Sequence, residues 1–392
     1  MNKIAVVGYK RTAIGKFGGV FKNVSGVELG ITSIRAALEE SGVKGDEVDE
    51  VVMGVCWQAG QKANPARQAA IGAGIRIEAP AVSINQQCSS GIRAVDIGAD
   101  QIILGKAKVV VAGGFESMSS VPYIDRTGRW GHRRGTVMMD DSLYYDGLDD
   151  AFSGLNMGNT AETVGKQAHL SRKAVDIFAV ESQEKAARAI GKSRFAIEIV
   201  PYTMKAKKAE LIIDQDENPR STTLDSLSEL KPAFQAEGIC TAGNSPPLSD
   251  GAAAIVLMDS EFAKEKGLKI LGYYVGAVSV GVDPEMMGIG PVPAVRELLR
   301  KYSLSLDDID FLEINEAFGA QALACIKELA FPLEKVNVNG GAIALGHPPG
   351  MTGTRLIGTL VHELRLTKKK FGIATLCAGG GPAIAALIQS AD

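Results

Sequence analysis

The sequence predicts an α/β protein whose sheet is covered by helices on both faces, built from two related halves with a long segment inserted in the first. Three observations predict it. Continuous apolar runs alternate with amphipathic helical stretches, the pattern of strands buried on both sides. A block of residue spacings near the start recurs near the end. Between residues 119 and 249 the chain changes character and becomes aromatic and charged. The chain is thus divided into a first half of residues 1–118 with 250–270, an insertion of 119–249, and a second half of 271–392.

Each element follows from its own pattern. Ile4-Ala-Val-Val7 predicts the first strand, and Val27 to Ser41 has helical periodicity that ends near Gly42. Val51-Val-Met53 is a strand, and Ala81-Val-Ser-Ile84 is an apolar run before the loop Asn85 to Ser90. The helical stretch Gly91 to Leu104 leads to the buried strand Val109-Val-Val-Ala112. Within the insertion, Tyr123 to Tyr145 gathers Arg126, Arg129, Trp130, His132, Arg133 and Arg134. A charged helix, Ser171 to Gly191, and the loop Asp214 to Arg220 follow, and Ala252 to Met258 returns the chain to the first sheet. Ile34-Arg35, Leu38, Asp46 and Asp49 precede one strand; Val295-Arg296, Leu299, Asp307 and Asp310 precede Phe311-Leu-Glu-Ile314 at the same spacing. A glycine-rich turn, a helix, a Lys-x-Lys and a strand then recur, with Ala112-Gly-Gly matched to Ala378-Gly-Gly.

Composition narrows the function. At 392 residues the chain is long enough for two or three core-bearing units. Hydrophobic residues at 46% and charged residues at 22% are ordinary for a globular protein. A net charge of −3 makes no electrostatic case for nucleic acid or an anionic membrane. The basic runs Lys205–Lys208 and Lys368–Lys370 are short and read as solvated surface. Five cysteines without paired short spacing argue against a disulfide framework and against a metal site. The expectation is reduced thiols in a cytoplasmic protein, since Met1 to Gly8 has no signal-peptide layout and no apolar run spans a bilayer.

Three residues in glycine-rich settings carry the chemistry. Cys88 lies in Asn85-Gln-Gln-Cys-Ser-Ser-Gly91, at a strand-to-helix turn whose free N–H groups and helix dipole would lower the thiol pKa. Its own N–H can join an oxyanion hole, and Gly91 is read as keeping the turn open. Cys377 lies in Leu376-Cys-Ala-Gly-Gly-Gly381, at the end of the apolar run Phe371 to Leu376. His347, between Gly346 and Pro348, is read as a partner for the Cys88 thiol and a donor to a substrate oxygen. Two thiols and an imidazole supply a nucleophile, a base and an oxyanion site, which suits making or breaking a carbon–carbon bond on a thioester. Asn315 and Glu316 sit at a strand's carboxyl end, where open α/β sheets bind ligands; a helix N-cap is the other reading of Asn315. Cys56, Cys240 and Cys325 read as structural.

With these motifs in place the chain resembles the thiolase family along essentially its whole length. The resemblance rests on Arg11 to Gly19, Asn85 to Gly91, Asp250-Gly-Ala-Ala-Ala254, Gly281-Val-Asp-Pro284, Gly288 to Pro293, Asn315-Glu-Ala-Phe318, Gly340 to Gly350 and Cys377 to Gly381, in this order. It implies a duplicated five-layered α-β-α-β-α fold with an inserted loop domain that binds coenzyme A. It also implies that Cys88 carries the acyl group, that Cys377 moves the α-proton, and that His347, with a water held by Asn315, stabilises the enolate. The N–H groups of Cys88 and Gly379 would hold the tetrahedral oxyanion, such donors being worth roughly 3 kcal/mol each. By the same resemblance Arg220 contacts the adenine end, Ala242, Ala317 and Phe318 line the pantetheine channel, and Met157 and Met287 border the acyl pocket. Coenzyme A and acyl-CoA are then substrates, no cofactor is permanently bound, and the protein is a homodimer or homotetramer.

Two departures from the family pattern bear on the substrate. Thiolases often carry His-Met where this chain has Asn156-Met157, and a serine where it has Pro246. Ser245, Ser249-Asp250 and Met351-Thr352 look closer to degradative 3-ketoacyl-CoA thiolases, whereas Met157 and Met287 also occur in short-chain enzymes. A ketoacyl synthase shares the fold but commonly replaces the second cysteine, so Cys377 argues against it; a non-catalytic acyl-CoA-binding protein would not need all four residues.

Overall fold

The computed structural model describes residues 3–205 and 210–391. Beyond Lys205 the basic run ending at Lys208 lies outside the described residues, as does the terminal Asp392. The strands of the first half are β1 (Ile4–Arg11), β2 (Glu50–Gly54), β3 (Ala81–Ile84), β4 (Val109–Ser117) and β5 (Ser249–Asp259). They lie in the order β3-β2-β4-β5-β1, with β2 parallel to both β3 and β4 and the remaining pairs antiparallel. The second half comprises β6 (Gly272–Gly281), β7 (Phe311–Ile314), β8 (Phe371–Cys377) and β9 (Pro382–Ser390), in the order β7-β8-β9-β6. A parallel bridge between Leu312 and Val336 stands where β3 stands in the first half. The duplication is therefore visible as one strand order used twice.

The recurring residues have a physical cause. Asp49 Oδ2 accepts from the N–H groups of Lys108 and Val109 at 2.7 and 3.0 Å. Asp310 Oδ2 accepts from Lys370 and Phe371 at 2.8 and 3.2 Å. Each aspartate thus fastens the entry of the strand beside it. Both first strands also carry a register shift at a Val-Gly pair, Val7-Gly8 in β1 and Val275-Gly276 in β6. The two half-sheets meet there edge to edge, Ile4–Val6 pairing with Gly272–Tyr274.

One expected match is out of register. Val51 pairs with Val111 and Leu312 with Ile373, so Ala112-Gly-Gly corresponds to Ala374-Thr-Leu rather than to Ala378-Gly-Gly. Phe115, not a glycine, is the counterpart of Cys377. The first-half glycines answer a different demand, because a Cβ on Gly114 would fall on the Gly350 carbonyl oxygen and one on Gly113 on that of Ala253.

The helices are α1 (Gly26–Ser41), α2 (Pro65–Gly72), α3 (Ser90–Ile103), α4 (Met157–Gln167), α5 (Arg172–Gly191), α6 (Pro291–Tyr302), α7 (Gly319–Leu329) and α8 (Pro349–Thr367). Helices α1 and α6 cover the outer faces of the first and second half-sheets. Between the half-sheets lie α3 and α8, so the layers run helix, sheet, helix, sheet, helix. Helix α8 is buried from Pro349 to Leu364, as a helix with sheet on both sides must be. No helix among the described residues is long and apolar enough to cross a membrane.

The central pair touches through glycine. A Cβ on Gly91 would sit 2.6 Å from the Thr354 backbone nitrogen, and one on Gly353 would collide with that of Ile92. Gly91 does not take a positive φ. It is required for backbone contact between helices, not for keeping a turn open. Residues 119–249 contribute α4, α5 and two small ladders, Tyr123–Ile124 with Asp140–Asp141 and Tyr202–Lys205 with Glu210–Ile213. The loop from Asp214 to Arg220 anchors this segment. Arg11, fully buried, pairs with Asp216 at 2.7 Å and Glu198 at 2.9 Å, and Glu217 accepts from Lys16 N at 2.8 Å.

Substituting Gly91→Ala is expected to cost about 1–3 kcal/mol, because the new methyl meets backbone that cannot move aside. Gly281→Ala, where no atom lies within 4 Å of the new carbon, is the matched control. Urea denaturation of both variants measures the difference.

Candidate active site

A cavity of about 230 Å3 opens at the carboxyl ends of the parallel strands, and its wall includes Cys88, His347, Cys377 and Gly379. Each reaches it from a different element. Cys88 follows β3, where Asn85 Oδ1 accepts from Gln87 N at 2.9 Å and Asn85 Nδ2 donates to Cys56 O at 3.1 Å. Gln87 is held at φ +50°, and the Ser90 hydroxyl donates to its carbonyl at 2.6 Å. This sharp turn presents the half-buried Cys88 sulfur at the entrance of α3.

The N–H groups of Cys88 and Gly379 both point at that sulfur and favour its thiolate. Burial outweighs them, and the thiol is pushed up to about 12. The expected lowering by the helix terminus does not prevail, because an apolar cavity withdraws more solvation than two amide dipoles return. Cys88 therefore rests as a thiol and would need a base to react as a nucleophile.

His347 presents a ring nitrogen with a lone pair. Its Nδ1 lies 2.7 Å from Thr352 Oγ1, whose own proton goes to Pro348 O at 2.8 Å. Thr352 can therefore only accept from Nδ1–H, which leaves the lone pair on Nε2. Asn315 Nδ2 lies 3.3 Å from Nε2 and donates to it. Burial, reinforced by the Arg355 charge, lowers the imidazole to about 3 and keeps it neutral. Asn315 is not a helix cap, since the N-cap of α7 is Phe318. Its Oδ1 is buried without a hydrogen-bond partner among the described residues.

Cys377, at the end of β8, is buried, and burial together with the neighbouring Cys88 raises its thiol well above the ordinary value. The turn that follows has Gly380 at φ +84° and Gly381 at φ +99°. A Cβ on Gly379 would stand 2.6 Å from Met157 Cε, so a side chain there would displace the movable end of that methionine. Glu316 accepts from Ser182 Oγ and Asn337 Nδ2, both at 2.8 Å, and from Ile343 N at 3.0 Å. Fully engaged, it ties α5 and the 337–343 loop to the end of β7.

The remaining expected residues divide into two groups. Met157, Met287, Ala317 and Phe318 line the cavity, and the first three pack with Cys377. Arg220 and Ala242 are exposed and take no part in the cavity wall, although Ser245 to Leu248, on the same loop as Ala242, do. The Ser245 hydroxyl is buried in this wall without a hydrogen-bond partner among the described residues, so the hydroxyl missing at Pro246 is offered one residue earlier. Asn156 also lines the wall and caps α4, its Oδ1 accepting from Gly158 N at 3.1 Å. Cys56 is more than structural filling, since its thiol donates to Gln87 O at 3.2 Å.

Contributors that were not expected include Trp57 and Phe234 in the wall, Thr352 and Ser249 behind His347, and Glu116 beneath the site. A carboxylate closing an otherwise apolar strand was a legible signal for Glu116. Thr352 lies five residues from His347 on the turn into α8, whereas Trp57, Phe234 and Ser249 come from distant segments.

Comparison with known proteins agrees with this geometry. Residues 4–261 match the family model described as thiolase, N-terminal domain, and residues 268–390 match thiolase, C-terminal domain. The acetyl-CoA acetyltransferase of Shinella zoogloeoides is 48% identical over 386 residues, 98% of each chain. That of Pseudomonas aeruginosa strain PAO1 is 47% identical over 387 residues, again 98% of each. The crystal structure of the Bacillus anthracis acetyl-CoA acetyltransferase superposes with a TM-score of 0.97, at 45% identity and 99% coverage of both chains.

With the Cys88 thiol near 12, only a small thiolate fraction exists at neutral pH in the free protein. Alkylation of Cys88 by iodoacetamide, followed by mass spectrometry of its peptide, is expected to keep accelerating above pH 9. A plateau below pH 8 would mean that the thiolate is already formed.

Proposed function

Because the chain belongs to the thiolase family, we propose that it is an acyltransferase that cleaves and forms 3-ketoacyl-CoA through an acyl-cysteine, with acetoacetyl-CoA as its preferred substrate. The observation that carries this reading is one cavity holding two thiols, a neutral imidazole and two convergent N–H groups. His347 Nε2 takes the Cys88 proton as sulfur attacks the 3-carbonyl carbon. The carbon–carbon bond to C2 then breaks, and Cys377 gives its proton to C2 of the leaving acetyl-CoA enolate, whose oxygen is held by His347 and by water at Asn315. The Cys377 thiolate next takes the proton of an incoming coenzyme A thiol, which attacks the Cys88 thioester. The oxyanion formed there lies against the N–H groups of Cys88 and Gly379, and acyl-CoA leaves as Cys88 recovers its proton. Every proton is returned, so the cycle is reversible and uses no bound cofactor.

Short acyl chains are inferred from the packed cluster of Met157, Met287, Ala317 and Cys377, all of which line the cavity. In this reading residues 119–249 hold coenzyme A, with Arg220 toward the adenine and Ala242 toward the pantetheine arm. The chain then works as a dimer or tetramer, supported by the exposed apolar side chains of Trp130, Met138 and Phe152. A reducing, cytoplasmic setting suits chemistry that needs both thiols free.

The wild-type protein is expected to consume acetoacetyl-CoA when coenzyme A is added, read as loss of the enolate absorbance. Cys88→Ala abolishes this; full activity in that variant would sink the mechanism. Cys377→Ala still acylates Cys88 but exchanges the α-protons of acetyl-CoA roughly 10²- to 10⁴-fold more slowly, measured as deuterium loss by mass spectrometry. Across 3-ketoacyl-CoA substrates of rising length, kcat/KM is expected to be greatest for acetoacetyl-CoA, and Met287→Ala to shift the optimum to longer chains.

A further inference from the structure

Glu116, the penultimate residue of β4, is buried beneath the cavity with no exposed surface. Its Oε2 accepts from Cys56 N at 3.0 Å and Gly350 N at 3.1 Å, and its Oε1 accepts from Trp57 N at 3.1 Å. These donors belong to two separate segments. Cys56 and Trp57 follow β2; the Cys56 thiol in turn donates to the carbonyl of Gln87, the residue before the nucleophile. Gly350 lies in the first turn of α8, three residues after His347, where helix N–H groups have no intrahelical acceptor. Space allows this reach because Gly350 packs directly on β2 and β4, its ideal Cβ lying 2.6 Å from the carbonyl oxygens of both Gly54 and Phe115.

A carboxylate buried on neutral amide donors is costly, and a neutral side chain could fill the same volume more cheaply. Burial does push the carboxyl up, to about 7, while the three N–H groups favour its ionised form. Glu116 touches none of the cavity-lining sulfur or imidazole atoms, but it is the common support of the loops that carry them.

Resting on the thiolase reading above, we propose that Glu116 is a positioning residue that fastens the nucleophile loop, through Cys56, and the base, through Gly350, to the end of β4. Oε2 joins the two segments, through Cys56 N and Gly350 N, while Oε1 holds Trp57 N. In Glu116→Gln only one of these places keeps an oxygen, so an NH2 group faces either Trp57 N or the pair Cys56 N and Gly350 N, and the joint hold is weakened while the volume stays constant.

The test measures acetoacetyl-CoA cleavage in Glu116→Gln, His347→Ala and the double variant. Glu116→Gln is expected to lower kcat 10- to 100-fold with KM within about twofold, since the cavity wall that binds substrate is kept. In the His347→Ala background the same substitution is expected to cost at least threefold less than in the wild type, because only the part of its effect that runs through the nucleophile loop remains. Equal losses in both backgrounds, or an unchanged kcat, would overturn the proposal. Should Glu116→Gln fail to fold, Glu116→Asp replaces it: the charge remains but the shorter arm cannot reach both segments, and the same non-additivity is required. Inactive wild-type protein would count against the thiolase reading; active wild type with an indifferent Glu116 would count against this inference alone.

Discussion

The close crossing of α3 and α8 is the constraint from which the site follows. Each helix begins at a loop that bears a reactive side chain, Cys88 before α3 and His347 before α8. With an ordinary side chain at Gly91 or Gly353 the backbones would separate and the two loops with them. Sheet on both sides of the pair leaves no solvent-facing route for relief, because α8 is buried for four turns. Duplication supplies the geometry: the two helices occupy equivalent places in their halves, so their N-termini arrive at one place. Cys88 and His347 are the matched pair in this sense, whereas Cys377 corresponds to Phe115 and comes from the strand beside them.

Electrostatics at the site follow from the same enclosure. Burial raises both thiols and lowers the imidazole, so that the groups facing the cavity rest uncharged. In the proposed reaction a neutral thiol would meet a neutral imidazole. The fixed N–H groups of Cys88 and Gly379 would then act on the charge that appears, with no reorganisation of their own. The tautomer of His347 is set by the chain Thr352 to Pro348, which is why a threonine five residues along the helix matters to the chemistry.

Stability and function meet in the insertion. Arg11 and Asp216 form a buried pair that binds the 214–220 loop to β1, and Asn218 donates from that loop to Leu345 O at 2.9 Å. The segment that supplies Met157 and Phe234 to the cavity wall is thus braced against the strand and the loop that flank His347. Losing one partner of the Arg11 pair would leave a buried charge exposed to no solvent, a cost well beyond that of a surface ion pair.

Much of this was legible in the residues. Continuous apolar runs identified the strands, the Asp49 and Asp310 spacings identified the duplication, and the glycine-rich settings of Cys88, His347 and Cys377 marked the loops that line the cavity. Those are local signals, and local chemistry decides them. The resting charge of Cys88, the tautomer of His347, the helix-contact role of Gly91 and the place of Glu116 were decided only by the tertiary structure. Each depends on what lies across space from it: desolvation, a threonine hydroxyl, a second helix, and three amides from two distant segments. Sequence determines which groups can react, and packing determines the state in which they wait.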